Sequence, residues 1–321
     1  MRRKGALKST CARTMFALCT VWTAIAFGQT YPAKPVRLLV GFSAGGSADG
    51  SARSIATRMS EALGATFVIE SRGGAGGSVA AQIVAKAPAD GYTLLWSSPG
   101  ALTISQILEK NLPYDTATAF APIGLALTFC NAIVARNDTP LNSVQELIAL
   151  AKDKPGQLRY ATQGIGSAGH LSGEMLQAMT GAVFTHVPYK GGAEILTAVL
   201  GGELQFGFVS STTAGTLRNR TKVLAVTSLK RDPSLPDVPS LHEAGVKNYD
   251  ATFWFGLLAP AGTSPSIIER LNKQLRQTLT DPEVARISRS QGLNPAPSTP
   301  QEFAALIKAD YAKWKKVIGA K

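Results

Sequence analysis

The sequence predicts an α/β protein of two domains joined by a two-strand hinge, and three observations carry that prediction. Strand-like and helix-like segments alternate along most of the chain, a pattern of mostly parallel sheets covered by helices. Two apolar β-rich runs, 123–134 and 253–258, enclose a segment with its own β–α rhythm. The 321 residues are enough to build two cores rather than one. The expected domains are residues 29–129 with 253–321, and residues 130–252.

The elements follow in order. Residues 36–40 (VRLLV) form an apolar first strand, and 41–46 a glycine-rich turn. Ala52, Ile55, Ala56, Met59 and Leu63 then recur at helical spacing, with Gly64 placed to end the helix. Residues 67–70 read as the second strand, 78–86 as a helix and 92–97 as the third strand. In the inserted segment, 144–152, 171–179 and 194–200 have helical spacing. Residues 158–161, 184–187, 204–209 and 223–227 read as strands. The chain ends in helices over 266–279, 282–290 and 299–317. No repeat of solenoid length occurs.

The start of the chain indicates export. Arg2, Arg3, Lys4, Lys8 and Arg13 precede an apolar run over 15–27, and Ala24, Ala26 and Gly28 offer small residues for cleavage. This is the layout of a secretory signal peptide over 1–28, cut near 26–29 to release a periplasmic product. The run is shorter than the roughly 20 apolar residues that span a bilayer. The whole chain has 33 basic and 21 acidic residues; without the leader it has 28 against 21, a net +7. No Lys/Arg run is interleaved with aromatics, so a nucleic-acid partner is not expected. The mild excess suits a small anion. Past the leader Cys130 is alone, which excludes an intramolecular disulfide and suits a buried thiol. His170, His186 and His242 lack the spacing of metal ligands, and no cofactor is implied.

Three glycine-rich turns follow predicted strands. The first, over 41–49, contains G-x-S-x-G with Ser43 at the place of a hydrolase nucleophile. Such an elbow needs an earlier strand and loop for its oxyanion hole, and none precedes residue 36. Glycines that let backbone N–H groups converge at a helix start instead suit an anion. Ser47 or Asp49 would cap that helix. Valine at Gly45 or Gly46 is expected to abolish binding, and alanine at Ser43 to weaken it modestly. The second turn, Gly164-Ile165-Gly166-Ser167-Ala168-Gly169, is a literal dinucleotide fingerprint. The next predicted strand ends without the acid that holds a ribose. Its N–H groups and the Thr162 and Ser167 hydroxyls are therefore expected to face a ligand, with His170 alongside. The third turn, over 72–78, reads as a flexible connection.

These motifs, in one order over essentially the whole chain past residue 30, resemble a known family. They include Tyr31-Pro32, Pro35-Val36-Arg37, Gly45-Gly46-Ser47-Ala48-Asp49, Gly74-Ala75-Gly76-Gly77 and Asp90-Gly91-Tyr92-Thr93-Leu94. Leu112-Pro113-Tyr114-Asp115, Gly166-Ser167-Ala168-Gly169-His170-Leu171 and His186-Val187-Pro188-Tyr189-Lys190-Gly191 continue the series. Leu235-Pro236-Asp237-Val238-Pro239, Trp254-Phe255-Gly256-Leu257 and Ala259-Pro260-Ala261-Gly262 complete it. The family is that of the receptor components of tripartite tricarboxylate transporters, also called the Bordetella uptake gene family.

The resemblance implies a type II-like periplasmic binding protein that closes as a Venus flytrap. It implies a monomer, without enzymatic activity, that passes a small carboxylate to membrane permease subunits. Ligand contacts carried over are Phe42, Ser43, Ala44, Gly45, Gly46, Ser47 and Asp49, then Ser97 and Ser98. Thr162, Gln163, Gly164, Gly166, Ser167 and His170 follow from the second domain. Family members often place an acid and then Asn after the strand over 204–208; here Val209 and Ser210 stand there. The lost carboxylate leans the ligand away from amino acids, toward a dicarboxylate or an aromatic carboxylate. Two alternatives are a sensor that presents its ligand to a signalling receptor, and a secreted serine hydrolase using Ser43.

Overall fold

The computed structural model describes residues 31–109, 111–189 and 192–319; the leader expected over 1–28 lies outside them. In chain order the first lobe opens with β1 (Val36–Val40), α1 (Ser47–Leu63), β2 (Phe67–Ser71) and α2 (Ser78–Ala85). Next come β3 (Thr93–Ser97), a π-helical turn (Gly100–Ile104), α3 (Ser105–Leu108), α4 (Thr116–Ala119) and β4 (Phe120–Phe129). The second sheet draws on β5 (Asn131–Arg136), β6 (Arg159–Thr162), β7 (Thr185–Pro188), β8 (Phe206–Ser210) and β9 (Thr221–Val226). Its helices are α5 (Val144–Asp153), α6 (Ala168–Thr180), α7 (Gly192–Leu200) and α8 (Ser211–Thr216). The chain then adds β10 (Phe253–Pro260), α9 (Pro265–Leu279), α10 (Pro282–Ser290), β11 (Asn294–Pro295) and α11 (Pro300–Ile318).

The strands form two sheets, ordered β11-β4-β10-β3-β1-β2 and β7-β6-β8-β5-β9. Both are mixed rather than mostly parallel. β1 runs parallel to β2 and β3, and β6 parallel to β7 and β8. β10 lies antiparallel to β3 and β4, and β5 antiparallel to β8 and β9. The reason is the connection between sheets. β4 leaves the first sheet and enters the second through Cys130, whereas β10 brings the chain back, so the outgoing and returning strands oppose each other. The run over 123–134 is accordingly two strands in two sheets.

Burial follows the sheets. Leu38, Val40, Leu94 and Trp96 pack with Ile55, Met59 and Leu271. On the opposite face Leu39 and Leu95 pack with Val84, Trp254 and Phe303. Strands covered on both faces need no polar alternation, and all of β10 is buried. In the second sheet Ile133, Tyr160, Phe206 and Phe208 meet Leu171, Met175 and Leu176 of α6. Ala132, Val134 and Val209 meet Ile195 and Val199 of α7 on the other side. α11 opens with a capping box between Thr299 and Glu302. Its Phe303 and Ile307 join the first-lobe core, while Trp314 joins the second-lobe cluster. The last helix thus ties both lobes together.

Candidate functional site

The first glycine loop leaves the C-terminal end of β1. Ser43 to Ser47 are exposed, and Phe42 is half-buried with its ring edge against Phe255 at 5.6 Å. Gly45 has φ +87°, a conformation open to glycine at little cost. Gly46 is the N-cap of α1 with φ −82°, and no side chain caps the helix. The expected capping by Ser47 or Asp49 does not occur, because Asp49 turns back to the loop. Its Oδ2 accepts from Gly45 N–H at 3.1 Å and Arg53 Nε at 2.9 Å, and its Oδ1 from Ser71 Oγ at 2.6 Å. The Arg53 hydrogen bond, with those of Ser71 and Gly45, holds the carboxyl down at about 2. Asp49 is therefore a buried brace beneath the loop rather than a charge displayed in the cleft.

The third glycine loop corrects the expectation of a flexible turn. A Cβ at Gly73 would stand 3.0 Å from both Ser43 N and Ser43 Oγ. One at Gly41 would stand 3.0 Å from Gly77 Cα. Glycine here serves backbone-to-backbone packing, so 73–77 buttresses the first loop. Nearby, Ser97 ends β3 opposite Gly256 and is buried. Ser98, also buried, accepts from Gly100 N–H at 3.3 Å.

In the second lobe the loop after β6 is held from below. Thr162 is fully buried, and its Oγ1 accepts from Gly164 N–H at 3.2 Å and lies 2.6 Å from His186 Nε2. This hydroxyl supports the loop instead of being presented to a ligand. His170 Nδ1 accepts from Gly166 N–H at 3.2 Å, and Ser167 Oγ caps α6 through His170 N–H at 3.2 Å. Gly164 and Gly166 take φ of +104° and +77°. Gln163 is exposed at the turn. The rings of His170 and His186 are 4.5 Å apart. Sequence spacing missed His186 because fifteen residues, most of a helix among them, separate it from His170; only the parallel β6–β7 ladder, with Tyr160 opposite His186, brings it under the loop.

The two lobes meet beside the first loop. A cavity of about 350 Å³ is lined by Gly45, Gly46 and Ser47 from one side and Ser210, Thr212 and Thr213 from the other, with Gln291 at its edge. Ser210 caps α8 through Thr213 N–H at 3.2 Å. Val209 is buried on the opposite sheet face. A second hollow of about 350 Å³, next to Cys130, Lys230 and Asp232, shares no residue with the glycine loops. There burial and the neighbouring Asp232 push the Cys130 thiol up to about 12. Among the described residues no group of His, Cys, Asp and Glu could hold a metal ion, and no helix is long and apolar enough to cross a membrane.

Backbone N–H groups at an uncapped helix start, with hydroxyls around them, can hold an anion without a cation. Known proteins share both the sequence and the architecture. The model of the tripartite tricarboxylate transporter family receptor matches residues 51–321. Protein BugT of Bordetella pertussis is 34% identical over 297 residues, covering 90% of this chain and 90% of BugT. A solved R. palustris protein with adipate is 36% identical, covers 89% of this chain and 97% of that one, and superposes with a TM-score of 0.78. MatC from Rhodopseudomonas palustris, solved with bound malate, is 28% identical over 90% of this chain and 100% of that one, with a TM-score of 0.76. With 271 consecutive residues matched by the family model and the two-lobed periplasmic binding fold in place, the chain belongs to the tripartite tricarboxylate transporter receptor family.

Proposed function

We propose that this protein captures a small organic carboxylate in the periplasm and delivers it to the membrane subunits of a tripartite tricarboxylate-type transporter. The observation that carries the reading is the first loop, where exposed residues 43–47 lead into the uncapped start of α1. A helix of 17 residues directs its unpaired N–H groups and positive end there. Asp49, in the first turn of this helix, is paired with Arg53. Relatives with adipate and with malate support the same ligand class, and a dicarboxylate or aromatic carboxylate fits the uncharged wall at Ser210. Phe42 to Ser47, Ser97, Ser98, the loop over 162–167, His170 and Ser210 are the proposed contacts, several through backbone atoms alone.

In this reading the protein is a monomer without catalytic turnover, exported by its first 28 residues. Lobes 29–129 with 253–321 and 130–252 close about the crossings beside Cys130 and Phe253. A thermal-shift panel of mono-, di- and tricarboxylates tests it. A ligand at 100 times its Kd adds about 2.7 kcal/mol to stability, a displacement easily seen. Stabilisation by amines or neutral sugars, with every carboxylate silent, would overturn the assignment.

A further inference from the structure

The seam between the lobes holds polar atoms with unmet hydrogen-bonding capacity. Thr212 Oγ1, at the start of α8, and Gln291 Oε1, just past α10, are both buried without a hydrogen-bond partner. They come from opposite lobes and line the same cavity as Gly45, Gly46 and Ser47. Buried polar atoms are satisfied in the great majority of folded proteins, so Thr212 Oγ1 and Gln291 Oε1 have hydrogen-bonding capacity to offer a partner in this cavity.

The backbone around them is shaped for close approach. Gly292 has φ +76°, and any Cβ there would overlap the Thr212 hydroxyl. The Gln291 amide lies against α1 at Gly50, where a Cβ would come within 3.1 Å of Nε2. Gln291 is thus held over the first turns of α1, beside the N–H groups that receive the carboxylate in the proposed function.

We propose that Gln291 and Thr212 form a hydroxyl-reading subsite, so that the cleft prefers a hydroxycarboxylate to the same acid without its hydroxyl. This rests on the carboxylate reading above and adds the second group recognised. Gln291 Oε1 only accepts, whereas the Thr212 hydroxyl can donate. A ligand hydroxyl that reaches both atoms donates to one and accepts from the other. A methylene meets neither, and an ionised carboxylate has no proton for Gln291 Oε1. None of the residues lining the cavity is charged, so selection here works through hydrogen bonds alone. A site built to bond a hydroxyl rejects the analogue lacking it, because its own polar atoms stay unpaired.

Calorimetry on the full chain with matched pairs tests the subsite: malate and succinate, lactate and propionate, mandelate and phenylacetate. At least one hydroxy acid should bind about tenfold or more tighter than its partner. Gln291→Met and Thr212→Val should close the gap within that pair, weakening the hydroxy acid and not weakening its partner, whose penalty for leaving these atoms unpaired is removed. Thr212→Ser, which restores the hydroxyl, should keep the preference; melting curves confirm that each variant is folded. Equal affinities within every pair that binds, or variants that weaken both members alike, overturn the subsite. Binding only by carboxylates outside these pairs, with no preference for their hydroxylated forms, overturns the subsite but leaves the proposed function standing. Binding by no carboxylate overturns both.

Discussion

Gly45 and Gly46 are adjacent and look interchangeable in sequence, yet the structure predicts different outcomes for alanine at the two positions. Gly45 sits at φ +87° with nothing within 4 Å of a Cβ, so alanine meets a backbone penalty and no clash. That penalty is about 1–2 kcal/mol. Rotating φ away relieves it but withdraws the Gly45 N–H from Asp49, and a hydrogen bond to a charged group contributes about 1.5–3 kcal/mol. The loop takes the cheaper course, so the cost falls near 1–2 kcal/mol either way. Where the loop relaxes when free and regains its shape only with ligand, the same cost enters the Kd as roughly five- to thirtyfold. Gly46 has φ −82° and ψ 172°, an ordinary extended conformation, and its Cβ would stand 3.8 Å from Ser43 O. Alanine there should change stability by no more than about 0.5 kcal/mol. Valine at Gly46 acts only by narrowing the approach of the ligand, which revises the equal damage expected from sequence. Titration calorimetry with the tightest carboxylate, together with thermal melts of both alanine variants, measures each quantity. If Gly45→Ala binds and melts like the parent, or Gly46→Ala is the worse of the two, the loop argument fails.

Three further outcomes follow from the same geometry. Ser43→Ala should weaken carboxylate binding less than tenfold, since α1's N–H groups remain; turnover of a chromogenic ester that vanishes in this variant would restore the hydrolase alternative. Asp49→Asn should destabilise the protein at neutral pH, because the carboxyl is held at about 2 against its usual 3.8. A lowered value means stability that is fully present above about pH 4 and lost as pH falls toward 2. Melts of parent and variant should therefore converge over that interval, and curves that stay parallel contradict the brace. Saturating ligand should reduce the radius of gyration measured by X-ray scattering, as a cleft with contacts on both lobes closes; an unchanged radius rules out closure.

Alternation of elements was legible in the sequence because apolar spacing is local. β1 over 36–40, α10 over 282–290 and the Gly64 cap of α1 all stand where spacing predicted. Strand direction was not legible, since antiparallel pairing of β10 with β3 and β4 depends on where the chain re-enters its first sheet. Short elements such as the turn over 100–104 and α8 carry too few residues for periodicity. At the site, glycine content located two loops but misjudged the third, because flexibility and close packing demand the same residue. Asp49 reads as a helix cap from its position; Gly45 N–H, Arg53 and Ser71, the last twenty-two residues away, hold it toward the loop instead. Gln291 and Thr212 had no signal, as lone polar residues acquire meaning only when a fold buries them together.

The two glycine loops assigned to the ligand in the proposed function are braced in different ways, and the difference bears on how closure would be driven. In the first lobe Asp49 and the glycines over 73–77 fix the loop through a paired carboxylate and backbone packing. In the second, His170 and Thr162 accept from the loop's own N–H groups. Both arrangements order the loops before ligand arrives, so little binding energy is lost to ordering them. What remains for the ligand is to favour the closed form over the open one, and it can do so only through contacts it makes better when closed. The unpaired atoms at the seam, contributed by both lobes, are where such a difference can arise. A ligand that joins Gln291 to Thr212 would therefore be selected and would drive closure through the same hydrogen bonds.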